Sequence, residues 1–223
     1  MVSYYEDKLS AERLRKCYEI APSRIRQYLK AELDFLIQCT EGSNRILELG
    51  CGYGRVIKKL GRPMTEDLGC DTSQRSLRLA KNYLNQLPNV ELVCADASSL
   101  PFRQNVFDAV FCVQNGISSF GVNQRRLVAE AARVTMVGGL VIFSSYSTKI
   151  WKERLAWFRL QAQANLIGEI DETRTRGGTI VCKDGFRATT TSRMRFEKLF
   201  TDAGLIPRMR ELDGSSLFCL ARK

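Results

Sequence analysis

Three closely spaced glycines follow a short apolar segment, and this is the strongest chemical signal in the chain. Gly50, Gly52 and Gly54 come directly after Ile46 to Leu49, and a helical pattern follows from Val56 to Leu60. Glycines at such a turn let the backbone reverse sharply and let a ligand approach the main chain. The dinucleotide fingerprint GxGxxG would place its last glycine at Arg55, so the pattern favours a nucleoside ligand over a pyrophosphate.

Two aspartates follow at positions that suit a nucleoside. Asp71 ends a predicted strand over residues 67–71, where a carboxylate can accept hydrogen bonds from both ribose hydroxyls. Asp96 ends the next predicted strand and could hold the exocyclic amine of an adenine, with help from the backbone of Ala97. Each aspartate alone could equally be a cap or turn residue. All three features follow strands, and together they predict one nucleoside site.

The elements that must position these residues alternate between strand and helix. The predicted strands cover 45–49, 67–71, 90–95, 107–113 and 140–145, with helices over 56–60, 73–86 and 124–134, the last broken at Gly138-Gly139. This order predicts an α/β protein with a parallel sheet covered by helices on both faces. Residues 9–38 are expected to form two helices separated at Pro22.

The last third of the chain does not continue the alternation of strand and helix. A helix is expected over 150–166 and another over 192–203. Between them, the Thr-rich residues 173–191 carry the turn signals Gly177-Gly178 and Asp184-Gly185 and predict a β-hairpin. Residues 207–212 and 216–221 should form a final antiparallel pair.

This pattern resembles the class I S-adenosylmethionine-dependent methyltransferases over about residues 40–145. The matching segments are Glu48 to Gly54, Leu68 to Ser73, Asp96-Ala97 with Leu100 to Phe102, Phe107 to Val110, and Arg133-Val134 with Gly138 to Leu140. The resemblance implies a doubly wound, seven-stranded, mostly parallel sheet whose last strand is antiparallel. It also implies S-adenosylmethionine as cofactor, and a transferase activity.

By that resemblance, the glycine loop contacts the methionine part of the cofactor, Asp71 the ribose, and Asp96 with Ala97 the adenine. The full set of expected cofactor-binding residues is Glu48, Gly50, Cys51, Gly52, Gly54, Asp71, Thr72, Asp96, Ala97, Val113 and Gln114. Asn115 and Tyr146 are candidates for positioning the acceptor, and no catalytic base is assigned. Candidate aromatic walls are Tyr4, Tyr5, Tyr53, Phe120 and Tyr146.

We expect one methyltransferase domain over residues 1–223. Residues 1–40 should form an N-terminal helical lid, and residues 146–191 a cap insertion containing the β-hairpin. The cap is expected to determine acceptor specificity, because the residues singled out in the sheet domain are assigned to cofactor binding. A packing arm is the alternative role for this segment.

The composition excludes several kinds of catalysis and metal binding. The chain has no histidine, which excludes histidine catalysis and histidine metal ligands. Eight cysteines form no CxxC pair, so buried reduced thiols are expected rather than disulfides or a metal site; those at 51, 70, 94, 112 and 219 lie in or beside apolar strands. No apolar stretch approaches the length of a membrane span, so a cytoplasmic protein without membrane contact is expected.

A small-molecule acceptor is the favoured prediction. The Asn/Asp-Pro-Pro-aromatic motif of some amino-methylating relatives is absent after the fourth strand, where Val113 to Ile117 stand, and no Pro-Cys pair occurs. The net charge is +10, and its excess lies toward the C-terminus without a compact basic run. An RNA or protein acceptor and a non-catalytic cofactor-binding protein remain the alternatives, as do a monomer and a homodimer.

Overall fold

The computed structural model describes residues 4–61 and 65–223. Residues 1–3 of the predicted lid lie outside these ranges. The helices are α1 Tyr4–Asp7, α2 Ala11–Glu19, α3 Ser23–Cys39, α4 Arg55–Leu60, α5 Gln74–Tyr83, α6 Gly116–Ser119, α7 Gln124–Val134, α8 Trp151–Gln163 and α9 Arg193–Asp202. The strands are β1 Arg45–Leu49, β2 Glu66–Asp71, β3 Val90–Cys94, β4 Phe107–Cys112, β5 Thr135–Tyr146, β6 Ile180–Val181, β7 Arg187–Ala188, β8 Arg208–Leu212 and β9 Ser216–Arg222.

Seven strands form one sheet in the order β3-β2-β1-β4-β5-β9-β8. The first five are parallel to their neighbours, while β9 runs antiparallel to both β5 and β8. This confirms the predicted fold class, including the antiparallel last strand. The chain order reverses direction beside β1, between β1 and β4, which is where open α/β sheets bind ligands.

The central strands are buried on both faces, which explains their nearly continuous apolar sequences. Leu47 and Val110 pack into a cluster with α7 and α9 on one face. Their neighbours Ile46 and Phe111 pack into a second cluster with α3 and α4 on the other face. Two helical layers therefore hold the sheet rigid and fix the loops at its edge.

A third apolar cluster lies at the edge of the sheet and joins the N-terminal helices to residues 146–191. It unites α1, α2 and α3 with residues 146–191, and Cys17, Tyr28, Phe158 and Phe186 are among its buried members. Polar contacts reinforce it: Trp157 Nε1 donates to Cys17 O over 2.9 Å, and the Tyr4 hydroxyl to Asp184 over 2.5 Å. We call α1, α2 and residues 146–191 the lid–cap body.

Two local expectations are wrong. The glycines Gly138-Gly139 do not break a helix, because α7 has ended at Val134; they lie inside β5, where the pairing with β4 shifts register after Phe107. The predicted cap hairpin is present: it pairs β6 with β7 around the Asp184-Gly185 turn, and Gly177-Gly178 form a second turn, between Arg176 and Thr179.

The second wrong expectation concerns Cys94, which is exposed on β3 whereas the other four strand cysteines are buried. All eight cysteines are free. Across the described ranges, no helix is long and apolar enough to cross a membrane.

Candidate active site

A cavity of about 320 Å³ lies between the carboxyl edge of the sheet and the lid–cap body. Loops after β1, β2, β3 and β4 form one wall, and side chains of α2, α8 and the end of β5 form the other. This volume is at the lower end of the range that small-molecule sites occupy. We refer to the two walls as the sheet-edge wall and the lid–cap wall.

The glycine loop is tied to the neighbouring strand by its backbone. The N–H groups of Gly50 and Cys51 both donate to the carbonyl of Cys70, over 2.8 and 3.0 Å. Gly50 has a φ of +74°, and a Cβ there would lie 2.3 Å from the ring of Phe120. A glycine is therefore required at this turn for two independent reasons.

Asp71 holds the same loop from the side. Its carboxylate accepts from Gly52 N over 2.9 Å and from Ser73 N over 2.8 Å. Burial raises the pKa of this carboxyl, while these two backbone donors favour the charged form. Asp71 and its exposed neighbour Thr72 both line the cavity, so an ionised carboxylate is preorganised at the end of β2.

The loop after β3 places Asp96 and Ala97 on the same wall. One oxygen of the exposed Asp96 carboxylate accepts from the Ser98 N–H over 2.7 Å and from its hydroxyl over 2.8 Å. Ala97 is buried beside it. The turn fixes the carboxylate next to the backbone, as an adenine contact would need.

Glu48 and Arg55 face the cavity with unsatisfied polar atoms. Glu48 is buried, and one of its carboxylate oxygens has no hydrogen-bond partner. Burial raises the pKa of Glu48 to about 8, although the nearby Arg55 charge opposes this shift. Two guanidinium nitrogens of Arg55, Nε and Nη2, are shielded from solvent and also lack partners.

The end of β4 has an unusual backbone. Gln114 and Asn115 both adopt left-handed conformations, with φ of +56° and +65°. The Gln114 N–H donates to Glu32 over 3.0 Å and to Ser144 over 2.9 Å. Non-glycine residues tolerate such geometry only where surrounding contacts enforce it, and strain of this kind concentrates at functional sites.

The amide of Asn115 connects the sheet to the cap. Its Nδ2 donates to Thr189 O over 2.9 Å, and its Oδ1 accepts from the Ser145 hydroxyl over 2.6 Å. Asn115 is buried and lines the cavity. This side chain therefore positions the two walls relative to each other.

The lid–cap wall is mostly aromatic. It contains Tyr5, Tyr18, Tyr146, Trp157 and Phe158, together with Leu9, Leu14, Cys17, Gln161 and Ala188. Tyr146 is buried, with its ring 4.3 Å from the guanidinium of Arg154, and burial raises the pKa of its hydroxyl. The amide nitrogen of the buried Gln161 has no hydrogen-bond partner. This wall therefore combines apolar surface with a few hydrogen-bonding groups.

The cavity gathers nearly all the residues that the sequence indicated. Of the expected cofactor-binding residues only Gly54 lies away from it; that glycine is the N-cap of α4, and a Cβ there would lie 2.6 Å from the side chain of Leu84. Asn115 and Tyr146 line the cavity. Among the candidate aromatic walls Tyr4 does not, since its hydroxyl bonds to Asp184.

Several lining residues were missed by sequence reasoning. Leu14, Cys17 and Tyr18 share one face of α2, and Phe158 and Gln161 share one face of α8. Their helical spacing was visible, but it indicated only an apolar face and not which neighbour that face would meet.

Known proteins share this architecture. Residues 46–139 match a family model described as a methyltransferase domain. The demethylmenaquinone methyltransferase of Corynebacterium urealyticum is 27% identical over 150 residues, covering 67% of this chain and 54% of that protein. The malonyl-[acyl-carrier protein] O-methyltransferase of Legionella pneumophila is 33% identical over 133 residues, covering 57% and 44%.

A comparison of folds shows a likeness to known structures over nearly the whole chain. An S-adenosylmethionine-dependent methyltransferase from Clostridium acetobutylicum superposes with a TM-score of 0.65 at 19% identity, covering 94% of this chain and 98% of that one. The chain spans about half the length of the curated relatives it matches. The chain therefore has the fold of S-adenosylmethionine-dependent methyltransferases, and its residues 46–139 are similar in sequence to a methyltransferase domain.

Proposed function

We propose that this chain transfers the methyl group of S-adenosylmethionine to a small-molecule acceptor held between the two walls of the cavity. The observation that carries this proposal is the division of one partly enclosed cavity into an acidic, backbone-rich wall and an aromatic wall. The first wall suits a nucleoside with cationic groups, and the second suits a small apolar or planar acceptor.

The residues of the sheet-edge wall fit the cofactor. Asp71 offers an ionised carboxylate for ribose hydroxyls, and Asp96 with Ala97 offers a carboxylate and a backbone for adenine. The unsatisfied oxygen of Glu48 can accept from the ammonium group of the methionine part. When bound, the cofactor supplies a methyl group already activated by a positively charged sulfur.

The remaining task of this chain is to align the acceptor and exclude water. Methyl transfer is an in-line displacement, so holding the nucleophile near the methyl group provides most of the acceleration. Asn115 fixes the distance between the walls, because its amide bonds to β5 and to the cap at once. Trp157, Phe158 and Tyr146 exclude water from the acceptor side.

Proton removal is not the task of the tyrosines. Burial raises the pKa values of Tyr18 and Tyr146, so both hydroxyls stay protonated at neutral pH and act as hydrogen-bond donors. An acceptor atom that is already nucleophilic, such as a neutral amine or an anionic oxygen or sulfur, suits this site best.

The relatives' names agree with a small acceptor but do not select one. The names of the two relatives refer to a quinone and to a malonyl group on a carrier protein, and those acceptors are theirs. The partly enclosed cavity argues against a large acceptor, since a nucleic-acid site would be an open basic groove. Arg55 is the only basic residue among those described that line it.

A labelled-donor screen tests the proposed function. Purified protein is incubated with isotopically labelled S-adenosylmethionine and with fractionated metabolites, RNA or protein, and the products are analysed by mass spectrometry. The proposal expects label in a low-molecular-mass product only. Label confined to RNA or protein would contradict the acceptor class, and the absence of cofactor binding by calorimetry would contradict the activity.

A further inference from the structure

The charged groups around the cavity are unequal in number. Among the described residues that line it, four are acidic: Glu6, Glu48, Asp71 and Asp96. One, Arg55, is basic. An acidic cavity attracts a cationic ligand, so a lone arginine in such a wall calls for a specific explanation.

Arg55 is the first residue of α4, directly after the glycine loop. Its guanidinium stacks on the ring of Tyr18, with 4.5 Å between Cζ and the ring centroid. This contact holds the flat group in a fixed orientation between the loop and α2. It does not use the in-plane N–H groups, which are those that bind a carboxylate.

Those N–H groups are partly unused. Nε and Nη2 have no hydrogen-bond partner and no contact with solvent. The charge of Arg55 acts on Glu48, whose remaining oxygen is also without a partner, so the two groups are near each other without being hydrogen-bonded. A buried donor left unsatisfied is destabilising, and an arriving anion would satisfy it.

We propose that Arg55 forms a carboxylate-binding site and that its ligand is the carboxylate of the cofactor's methionine part. The inference rests on the cofactor assigned under the proposed function. S-adenosylmethionine carries two positive groups, the sulfonium and the ammonium, and one negative group, the carboxylate. The cavity presents the opposite balance: apart from Glu48, whose burial raises its pKa to about 8, three acidic side chains and one arginine line it.

A carboxylate on the acceptor is the second possible source of the same chemistry. The position of Arg55 favours the cofactor, because α4 begins immediately after the glycine loop, on the sheet-edge wall. The lid–cap wall, where the acceptor is proposed to lie, has no charged side chain among its lining residues on α2 or α8.

The test compares two ligands that differ by the carboxylate alone. Calorimetry measures the dissociation constants of S-adenosylmethionine and of decarboxylated S-adenosylmethionine, for the wild type, Arg55→Gln and Arg55→Lys. Lys59→Gln is the matched control, since Lys59 is an exposed cation on the same helix. Thermal melting checks that each variant folds.

We expect the wild type to bind S-adenosylmethionine roughly 10–100-fold more tightly than the decarboxylated compound. Arg55→Gln should abolish this preference by weakening S-adenosylmethionine binding, with little effect on the decarboxylated compound. Arg55→Lys should retain part of the preference, and Lys59→Gln all of it.

Three results would overturn the proposal. Equal affinities of both compounds for the wild type would exclude a carboxylate contact, and this comparison needs no variant. Equal weakening of both compounds in Arg55→Gln would show that Arg55 acts only by packing on Tyr18. If Arg55→Gln leaves the preference for S-adenosylmethionine unchanged but weakens the binding of acceptors that carry a carboxylate, the site belongs to the acceptor. If neither nucleoside binds the wild type, the proposed function itself fails.

Discussion

The two walls of the cavity are built in different ways. The sheet-edge wall consists of short loops, each within a few residues of a strand end, and its contacts are largely backbone N–H groups and carboxylates, as at Gly52 and Asp71. The lid–cap wall consists of side chains from helices far apart in sequence, such as Tyr18 and Phe158. The first wall is therefore set by the sheet, while the second depends on how α2 and α8 pack together.

This contrast implies that the walls can be damaged separately. A change in the lid–cap body should impair acceptor turnover and leave cofactor binding unchanged. A change at the sheet edge should weaken cofactor binding and leave acceptor binding unchanged. Asn115, which connects the walls, should affect both.

The largest expected effect is that of Phe186→Ala. Phe186 is fully buried and its ring contacts Tyr4 and Phe158, with centroids 5.0 and 5.7 Å apart. Removing such a ring costs about 3–5 kcal/mol of unfolding free energy. Below the melting temperature of the variant, turnover should collapse while cofactor affinity stays within a few-fold of wild type.

Phe196→Ala is the matched control for this prediction. Phe196 is equally buried but packs on the sheet beneath α9. Both variants should lose similar stability by denaturant unfolding, and Phe196→Ala should retain turnover where it is folded. Equal losses of turnover would mean that the lid–cap body has no special role in acceptor binding.

Asp71→Ala tests the opposite wall. The substitution removes the acceptor of the Gly52 and Ser73 N–H groups and the expected ribose contact, so cofactor affinity should fall roughly 10–100-fold. Calorimetry measures this directly, with the exposed Asp34 replaced by alanine as the control. Unchanged affinity in Asp71→Ala would remove this residue from the cofactor site.

The two walls also differ in how well the sequence could predict them. Gly50, Asp71 and Ala97 were found because each lies at a strand end, where the strand pattern and the glycine spacing are local signals. Tyr18 and Gln161 were missed because helical periodicity identifies an apolar face but not its partner. The bond between Trp157 and Cys17 spans 140 residues, and no local pattern records it.

The cap illustrates the same limit. The sequence indicated a hairpin and placed Trp151 and Trp157 in the cap, and both elements exist. Yet the hairpin contributes only Ala188 to the cavity, while α8 contributes Trp157, Phe158 and Gln161. The tip of the hairpin instead holds α1, through Asp184.

Glu32 tests, through pH, how the end of β4 is supported from α3. This buried carboxyl on α3 accepts from Gln114 N and Ser216, and burial raises its pKa from 4.5 to about 6. The folded state therefore binds this proton more tightly than the unfolded state does. Protonated Glu32 therefore adds roughly 2 kcal/mol to the unfolding free energy well below pH 4.5, and this contribution is lost as pH rises through 6.

Glu32→Gln should lack that decrease. Chemical denaturation of the wild type and the variant between pH 4 and pH 7, about the range over which the group titrates, gives the difference between them. We expect the stability of the variant relative to wild type to rise through this range. A constant difference would show that Glu32 has the same pKa in both states.

The smallest expected effect is that of Tyr4→Phe. The variant removes one hydroxyl donor from the exposed contact with Asp184, which costs less than about 1 kcal/mol of stability. Looser docking of α1 should raise the KM for the acceptor slightly and leave the cofactor dissociation constant unchanged. A change in cofactor affinity would indicate that α1 also closes over the sheet-edge wall.

The central claim is that cofactor recognition belongs to the sheet-edge wall alone. Amide chemical-shift changes on adding S-adenosylhomocysteine to the isotopically labelled protein test it directly, residue by residue. The account predicts the largest changes at Gly50 to Tyr53, Asp71-Thr72, Asp96-Ala97 and Val113 to Asn115. Changes concentrated instead on α8 and the β6–β7 hairpin, with the glycine loop unaffected, would contradict it.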